Sequence, residues 1–69
     1  MENILNKFGI RIKELRIEKD LTQEQFADLS GLHKNYIGMV ERGERNPSLK
    51  NIEVIAKAFN ISISKLMKF

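Results

Sequence analysis

Cysteine is absent from this 69-residue chain, so it has no disulfide and no thiolate to act as nucleophile or metal ligand. The one histidine, His33, excludes a histidine-based metal site unless chains share it. No run of about eighteen apolar residues occurs, so no membrane-spanning helix is expected. The opening segment MENILNKFGI has one lysine and no long apolar stretch, unlike a secretory signal. A cytoplasmic location is the simplest inference. No nucleophile–base pair, phosphate-cradling glycine loop or metal-ligand spacing is visible, and so short a chain has little room for an enclosed pocket of a few hundred cubic ångströms. The expectation is a protein that is not an enzyme and takes no cofactor.

What the chain does have is apolar content of 42%, enough for one compact core and too much for a disordered segment. Residues 1–69 are read as a single domain. The net charge of +3 is unevenly placed: −1 over residues 1–30 and +4 over residues 31–69. That basic excess leans toward nucleic acid.

Helical periodicity runs throughout, without a β-hairpin signal, repeat or low-complexity tract. Ile4, Leu5, Phe8, Ile12 and Leu15 share one face of a first helix, with Asp20 as its end. Thr22-Gln23-Glu24-Gln25 fits a capping box opening a second helix over about 23–30. Phe26, Ala27 and Leu29 are available to its core, and Gly31 stops it. A third helix is expected over about 34–42 with Tyr36, Ile37 and Val40 inward, then a loop over 43–47. Ser48 caps a fourth, whose inner face is Leu49, Ile52, Ile55, Ala56 and Phe59, with Asn60 as the stop. A short fifth helix is expected over about 62–68. The fold class is all-α, a compact bundle of five short helices. Ile10, Ile17 and Val54 point away from the main stripes. The C-terminal apolar set Ile61, Ile63, Leu66, Met67 and Phe69 is large for so short a helix, which marks residues 61–69 as a dimerisation segment.

Residues 23–42 carry the informative pattern. Two helices that cross at roughly 90–120° over a short turn need a small residue at the crossing, a sharp turn and an apolar lock. Ala27, Gly31 and the pair Ile37 and Val40 satisfy these needs in order. The outer face of the second helix is then free to enter a DNA major groove. Lys34 and Asn35 lie at its leading end, suited to guanine and adenine edges respectively. Gly38 and Met39 follow on the same face. Gly38 serves close approach either to DNA or to another helix, and Met39 contacts a thymine methyl, fills core or is simply exposed. His33, at the turn, is open to three readings: it reaches DNA, caps the helix loosely, or does neither. Gln23, Tyr36, Arg42, Arg45, Asn46 and Lys50 are candidate phosphate contacts. Arg16 and Glu41 are candidates for a bidentate ion pair between the first and third helices.

The segments FGIRIKELR, LTQEQFADLSGL, YIGMVERGERNPSL and IEVIAKAF resemble the Cro/C1-type (XRE-like) helix-turn-helix family. GLHKNYIGMVERGERNPS is similar to the controller proteins of restriction-modification systems. The resemblance implies a five-helix lambda-repressor-like domain. Gln23 looks like the family's DNA-contacting glutamine, and Arg16 with Glu41 looks like its interhelical ion pair. It further implies a homodimeric transcriptional regulator on palindromic double-stranded DNA near its own and an endonuclease gene, with RNA polymerase a candidate partner. Lys34, Asn35 and Met39 stand where phage-type members often carry glutamines. The alternatives are a phage-type repressor, an antitoxin, or a protein-interaction module on the same scaffold.

Overall fold

The computed structural model describes residues 3–69. Five helices follow one another: α1 (Ile4–Glu18), α2 (Gln23–Ser30), α3 (Lys34–Glu41), α4 (Leu49–Ala58) and α5 (Ile63–Leu66). No strand occurs among the described residues, as expected for an all-α chain.

Every helix starts on a side-chain cap. Asn3, Thr22, His33, Ser48 and Ser62 each accept from a backbone N–H in the first turn. The Thr22 capping box is complete: Gln25 N donates to Thr22 Oγ1 at 3.0 Å, and Thr22 N donates to Gln25 Oε1 at 2.8 Å. The helix ends are equally specific. Asp20, Gly43 and Asn60 adopt positive φ of 56°, 74° and 58°. Leu21, Glu44 and Ile61 then donate back to the carbonyls of Arg16, Met39 and Ala56, which makes each terminus a Schellman motif. Asp and Asn tolerate the left-handed region better than other non-glycine residues. That tolerance is the physical basis of their reading as stops.

The core joins Phe8, Ile12 and Leu15 of α1 to Phe26 and Ala27 of α2, Ile37 and Val40 of α3, Ile55, Ala56 and Phe59 of the α4 region, and Leu66 of α5. Phe26 and Phe59 stack with centroids 4.3 Å apart. Helices α1 and α3 pack closely at Gly9, where a Cβ would lie 2.5 Å from the carbonyl oxygens of Val40 and Glu41. The C-terminal end is fastened by Arg11, which donates to the Leu66 and Lys65 carbonyls at 3.1 and 2.8 Å. Those carbonyls belong to the end of α5, where helical partners run out.

Several expectations need correction. Leu66 is 0% exposed, so it closes the core of its own chain and offers no side chain to a dimer partner. Ile61 is half-buried against the same core. Leu29 is 59% exposed, because the buried arc of α2 runs through Phe26, Ala27 and Ser30 and leaves Leu29 about 110° away at 100° per residue. Leu49 is 75% exposed, although its helical angle matches the inner stripe. It stands in the first turn of α4, beyond the end of the core. Ile4 is likewise exposed in the first turn of α1. Helix α3 stops at Glu41, with Arg42 as its C-cap, and α5 is only four residues long.

Candidate nucleic-acid interface

The candidate reading face is built on the junction of α2 and α3. Ala27 is buried there, Gly31 turns the chain at φ 75°, and Ile37 and Val40 are fully inside. These four residues fix which side of α3 faces out. The capping box sets the start of α2, so Gln23 stands beside the middle of α3.

Six side chains or backbone positions line one open depression of about 350 Å³: Gln23, Lys34, Asn35, Gly38, Met39 and Arg42. All six came from the sequence as candidate DNA contacts. Lys34 and Asn35 are exposed at its leading end, and Met39 is half-buried. Gly38 is buried in the floor. A Cβ on it would meet Arg42 Nη1 at 3.2 Å and Gln23 Oε1 at 3.6 Å. Both atoms end flexible polar side chains, so the space above Gly38 opens into the depression and no helix backbone closes it.

Beneath the depression lies the ion pair. Arg16 Nε donates to Glu41 Oε2 at 2.7 Å and Arg16 Nη2 to Glu41 Oε1 at 3.1 Å. Arg16 Nη1 also holds the Leu21 carbonyl at 2.7 Å. Gln23 Nε2 donates to Glu41 Oε1 at 3.1 Å. An ionised carboxylate only accepts, so this contact orients the Gln23 amide with nitrogen toward Glu41 and oxygen toward Gly38. The outward face of Gln23 is therefore an acceptor plus one remaining N–H. Sequence reading missed this orientation.

The remaining candidates are placed less uniformly. His33 is the N-cap of α3: its Nδ1 accepts from Asn35 N at 3.1 Å. That settles the capping alternative and leaves Nε2–H as its outward donor. Tyr36 is half-buried, and its hydroxyl accepts from Asn51 Nδ2 at 3.1 Å, keeping its own proton free to donate. Asn51 was not singled out by the sequence. The Arg45 guanidinium lies 5.3 Å from the Tyr36 ring centroid, a cation–π arrangement. Asn46 is exposed in the loop. Lys50 lies elsewhere, beside Leu49, Glu53 and Ile63, so the structure does not bring it to the reading depression.

Two carboxylates touch the cations of this face. Arg42 donates through Nε and Nη2 to Glu44 at 2.8 and 3.2 Å. Hydrogen bonding from Arg42 holds the Glu44 carboxyl below the usual glutamate range, and the Glu44 hydrogen bond raises Arg42 in turn. Lys34 Nζ lies 3.6 Å from Glu24 Oε2. Among the described residues no helix is long and apolar enough to cross a membrane, and no three or more metal-ligating side chains gather.

A helix-turn-helix family model matches residues 12–66. The chain belongs to the helix-turn-helix family. It is 48% identical over 56 residues to control protein C.SmaI of Serratia marcescens, covering 81% of this chain and 67% of that protein. The crystal structure of the restriction-modification controller protein C.AhdI from Aeromonas hydrophila matches with a TM-score of 0.87 and 53% identity, over 90% of this chain and 94% of that one. The controller protein C.Esp1396I, solved as a tetramer with its natural 35 base-pair operator, matches with a TM-score of 0.83 and 34% identity over 97% of each chain. The Cro/C1-type resemblance and the five-helix expectation are both borne out.

Proposed function

We propose that this chain is a sequence-specific, double-stranded DNA-binding regulator of transcription of the restriction-modification controller type, acting by binding and not by catalysis. One observation carries the reading: Gln23, at the start of the first motif helix, and Lys34, Asn35, Gly38, Met39 and Arg42, along and just past the second, share one outward depression. Lys34 and Asn35 sit where a recognition helix first reaches base edges. Gln23, Tyr36, Arg42, Arg45 and Asn46 carry donors suited to phosphate oxygens, and His33 keeps an outward donor at the start of the same helix. The relatives named as control proteins support the regulatory role.

A single reading helix contacts few base pairs, so the active form is proposed to be a homodimer. On a palindromic site the two reading helices of such a dimer would enter half-sites about one DNA turn, roughly 34 Å, apart. Ile63, at the start of α5, and Met67, its C-cap four residues on, remain exposed, and Leu49 lies beside Ile63. These three form the proposed contact, in place of the buried Leu66. Phe69 packs its ring against Phe8 with centroids 6.5 Å apart, next to Ile10, and belongs to a different patch. A regulator of this kind works at the chromosome, in the cytoplasm, and its activating mode brings it against RNA polymerase.

Selection of bound duplexes from a random pool tests the proposal. A palindromic motif with half-sites one turn apart supports it. No enrichment at low salt from folded protein overturns it in favour of a protein-interaction module.

A further inference from the structure

In the free protein the two cations of the reading depression are already occupied. Arg42 is gripped at two points by Glu44, and Lys34 lies close to Glu24. Arg42 reaches Glu44 while its Nη1 remains over Gly38, at 3.2 Å from where a side chain would begin. The missing side chain is what leaves room for this fold-back. Both pairs are solvent-exposed, so each is weak and readily exchanged.

We propose that Glu44, with Glu24 as a lesser partner, determines how well this face discriminates its target from other DNA. The inference rests on the DNA-reading proposal above. Non-specific binding is almost wholly a matter of net charge against phosphates. A carboxylate beside Arg42 cancels the charge that such binding uses, and it faces the phosphates as a like charge once displaced. Specific binding draws a further share of its free energy from directed hydrogen bonds to base edges. That share depends on where the Arg42 and Lys34 donors point, not on the summed charge. The carboxylates therefore weaken wrong complexes more than right ones, and specificity is that difference.

The test compares the wild-type chain with Glu44→Gln, Arg42→Gln and the double variant, on the selected operator and on a scrambled duplex, across several salt concentrations. Glu44 is exposed and its side chain bonds to Arg42 alone among the hydrogen bonds of the structure, so the variant keeps the fold, which its melting temperature checks. Glu44→Gln is expected to tighten scrambled-duplex binding by no more than about fivefold, since an exposed ion pair is weak. The salt slope on that duplex should steepen by about 0.9, one added phosphate equivalent. Operator affinity should rise less, so the specificity ratio falls. In the Arg42→Gln background the same change should have a smaller effect. An unchanged ratio, or an equal effect in both backgrounds, overturns the proposal and makes Glu44 an ordinary surface charge. A loss of operator binding with a changed motif overturns it differently, making Glu44 a direct reader of cytosine. If wild-type protein binds neither duplex, the DNA-reading proposal falls and this one with it; if wild type binds and the variants match it, only this one falls.

Discussion

Arg16 and Glu41 stand 25 residues apart in sequence and meet fork to fork, at 2.7 and 3.1 Å, with side chains only 11% and 4% exposed. The pair joins the end of α1 to the end of α3, and Gln23 takes its orientation from the same carboxylate. A structural contact thus sets the aim of a proposed DNA contact. Removing Arg16 leaves Glu41 buried without its counter-charge, a change that costs about 3–5 kcal/mol. Arg16→Ala is expected to lose stability on that scale in urea denaturation. The double change Arg16→Met with Glu41→Leu should recover most of it, since apolar replacement of a whole buried pair is often neutral. The double variant should still bind DNA poorly, because Gln23 has lost its anchor. Full binding by that variant would show that the pair's role ends at stability.

Gly9 fixes the approach of α1 to α3. A methyl group there would sit 2.5 Å from two backbone carbonyl oxygens, and backbone cannot yield as a flexible side chain does. Gly9→Ala removes a helix-weakening glycine, a gain of about 1 kcal/mol by propensity alone. Overpacking costs about 1–3 kcal/mol or more and should win. A lowered denaturation midpoint is the expected outcome; a raised one would mean that the helices separate at no cost.

How legible all this was in the sequence depended on whether the signal was local. The Thr22 capping box, the Gly31 turn and the Asp20 and Asn60 stops lie within one turn of the chain, and each was read correctly. The pattern of residues 23–42 told which side of α3 is buried, through Ala27, Ile37 and Val40, because steric needs at a helix crossing follow fixed spacing. Leu29 and Leu49 were misplaced because periodicity gives a helix face but not how far the neighbouring elements extend over it. Arg11 clasping carbonyls more than fifty residues away had no local signature, nor did Gly9. Leu66 was assigned to a partner because a four-residue helix cannot show by pattern which of its apolar residues the core claims.

Leu66 and Ile63 now separate folding from dimerisation. Leu66→Ala empties a fully buried site and should cost about 2–5 kcal/mol, detected as a lowered melting temperature. Ile63→Asp changes an exposed residue and should leave the helical content of the monomer intact while shifting sedimentation from dimer to monomer. Operator binding should weaken steeply, since two linked half-sites become independent ones. An Ile63→Asp protein that sediments as a dimer would move the contact to the patch of Phe69 and Ile10.

The Arg42–Glu44 pair makes a pH prediction with a definite sign. Hydrogen bonding from Arg42 lowers the Glu44 carboxyl from its ordinary range. The pair is therefore fully formed at neutral pH, and its contribution is lost as pH falls through that lowered value. Both side chains are largely solvent-exposed, so the global melting temperature should barely register the loss. Carboxyl carbon chemical shifts should register it directly, with Glu44 titrating at lower pH than a free glutamate and returning to the ordinary range in Arg42→Gln. An unshifted titration in the wild-type chain would mean that the pair is broken in solution and that Arg42 is free to meet DNA.

Lys34 and Asn35 distinguish reading from mere attraction. Neither side chain is buried, so alanine at either position should change stability by no more than about 0.5 kcal/mol and leave the melting temperature near that of wild type. The binding effects should differ. Asn35→Ala removes a neutral donor–acceptor pair, and should cost about 1–3 kcal/mol on the operator with little change on scrambled DNA or in salt slope. Lys34→Ala also removes a charge, so it should weaken operator binding and flatten the slope by about 0.9 on both duplexes if Lys34 meets phosphate. If it meets a base edge instead, the operator loss should exceed the scrambled loss and the selected motif should relax at one position per half-site. Equal, slope-neutral binding by both variants would mean that α3 does not enter the groove by its N-terminal end, and the assignment of the reading face would fail.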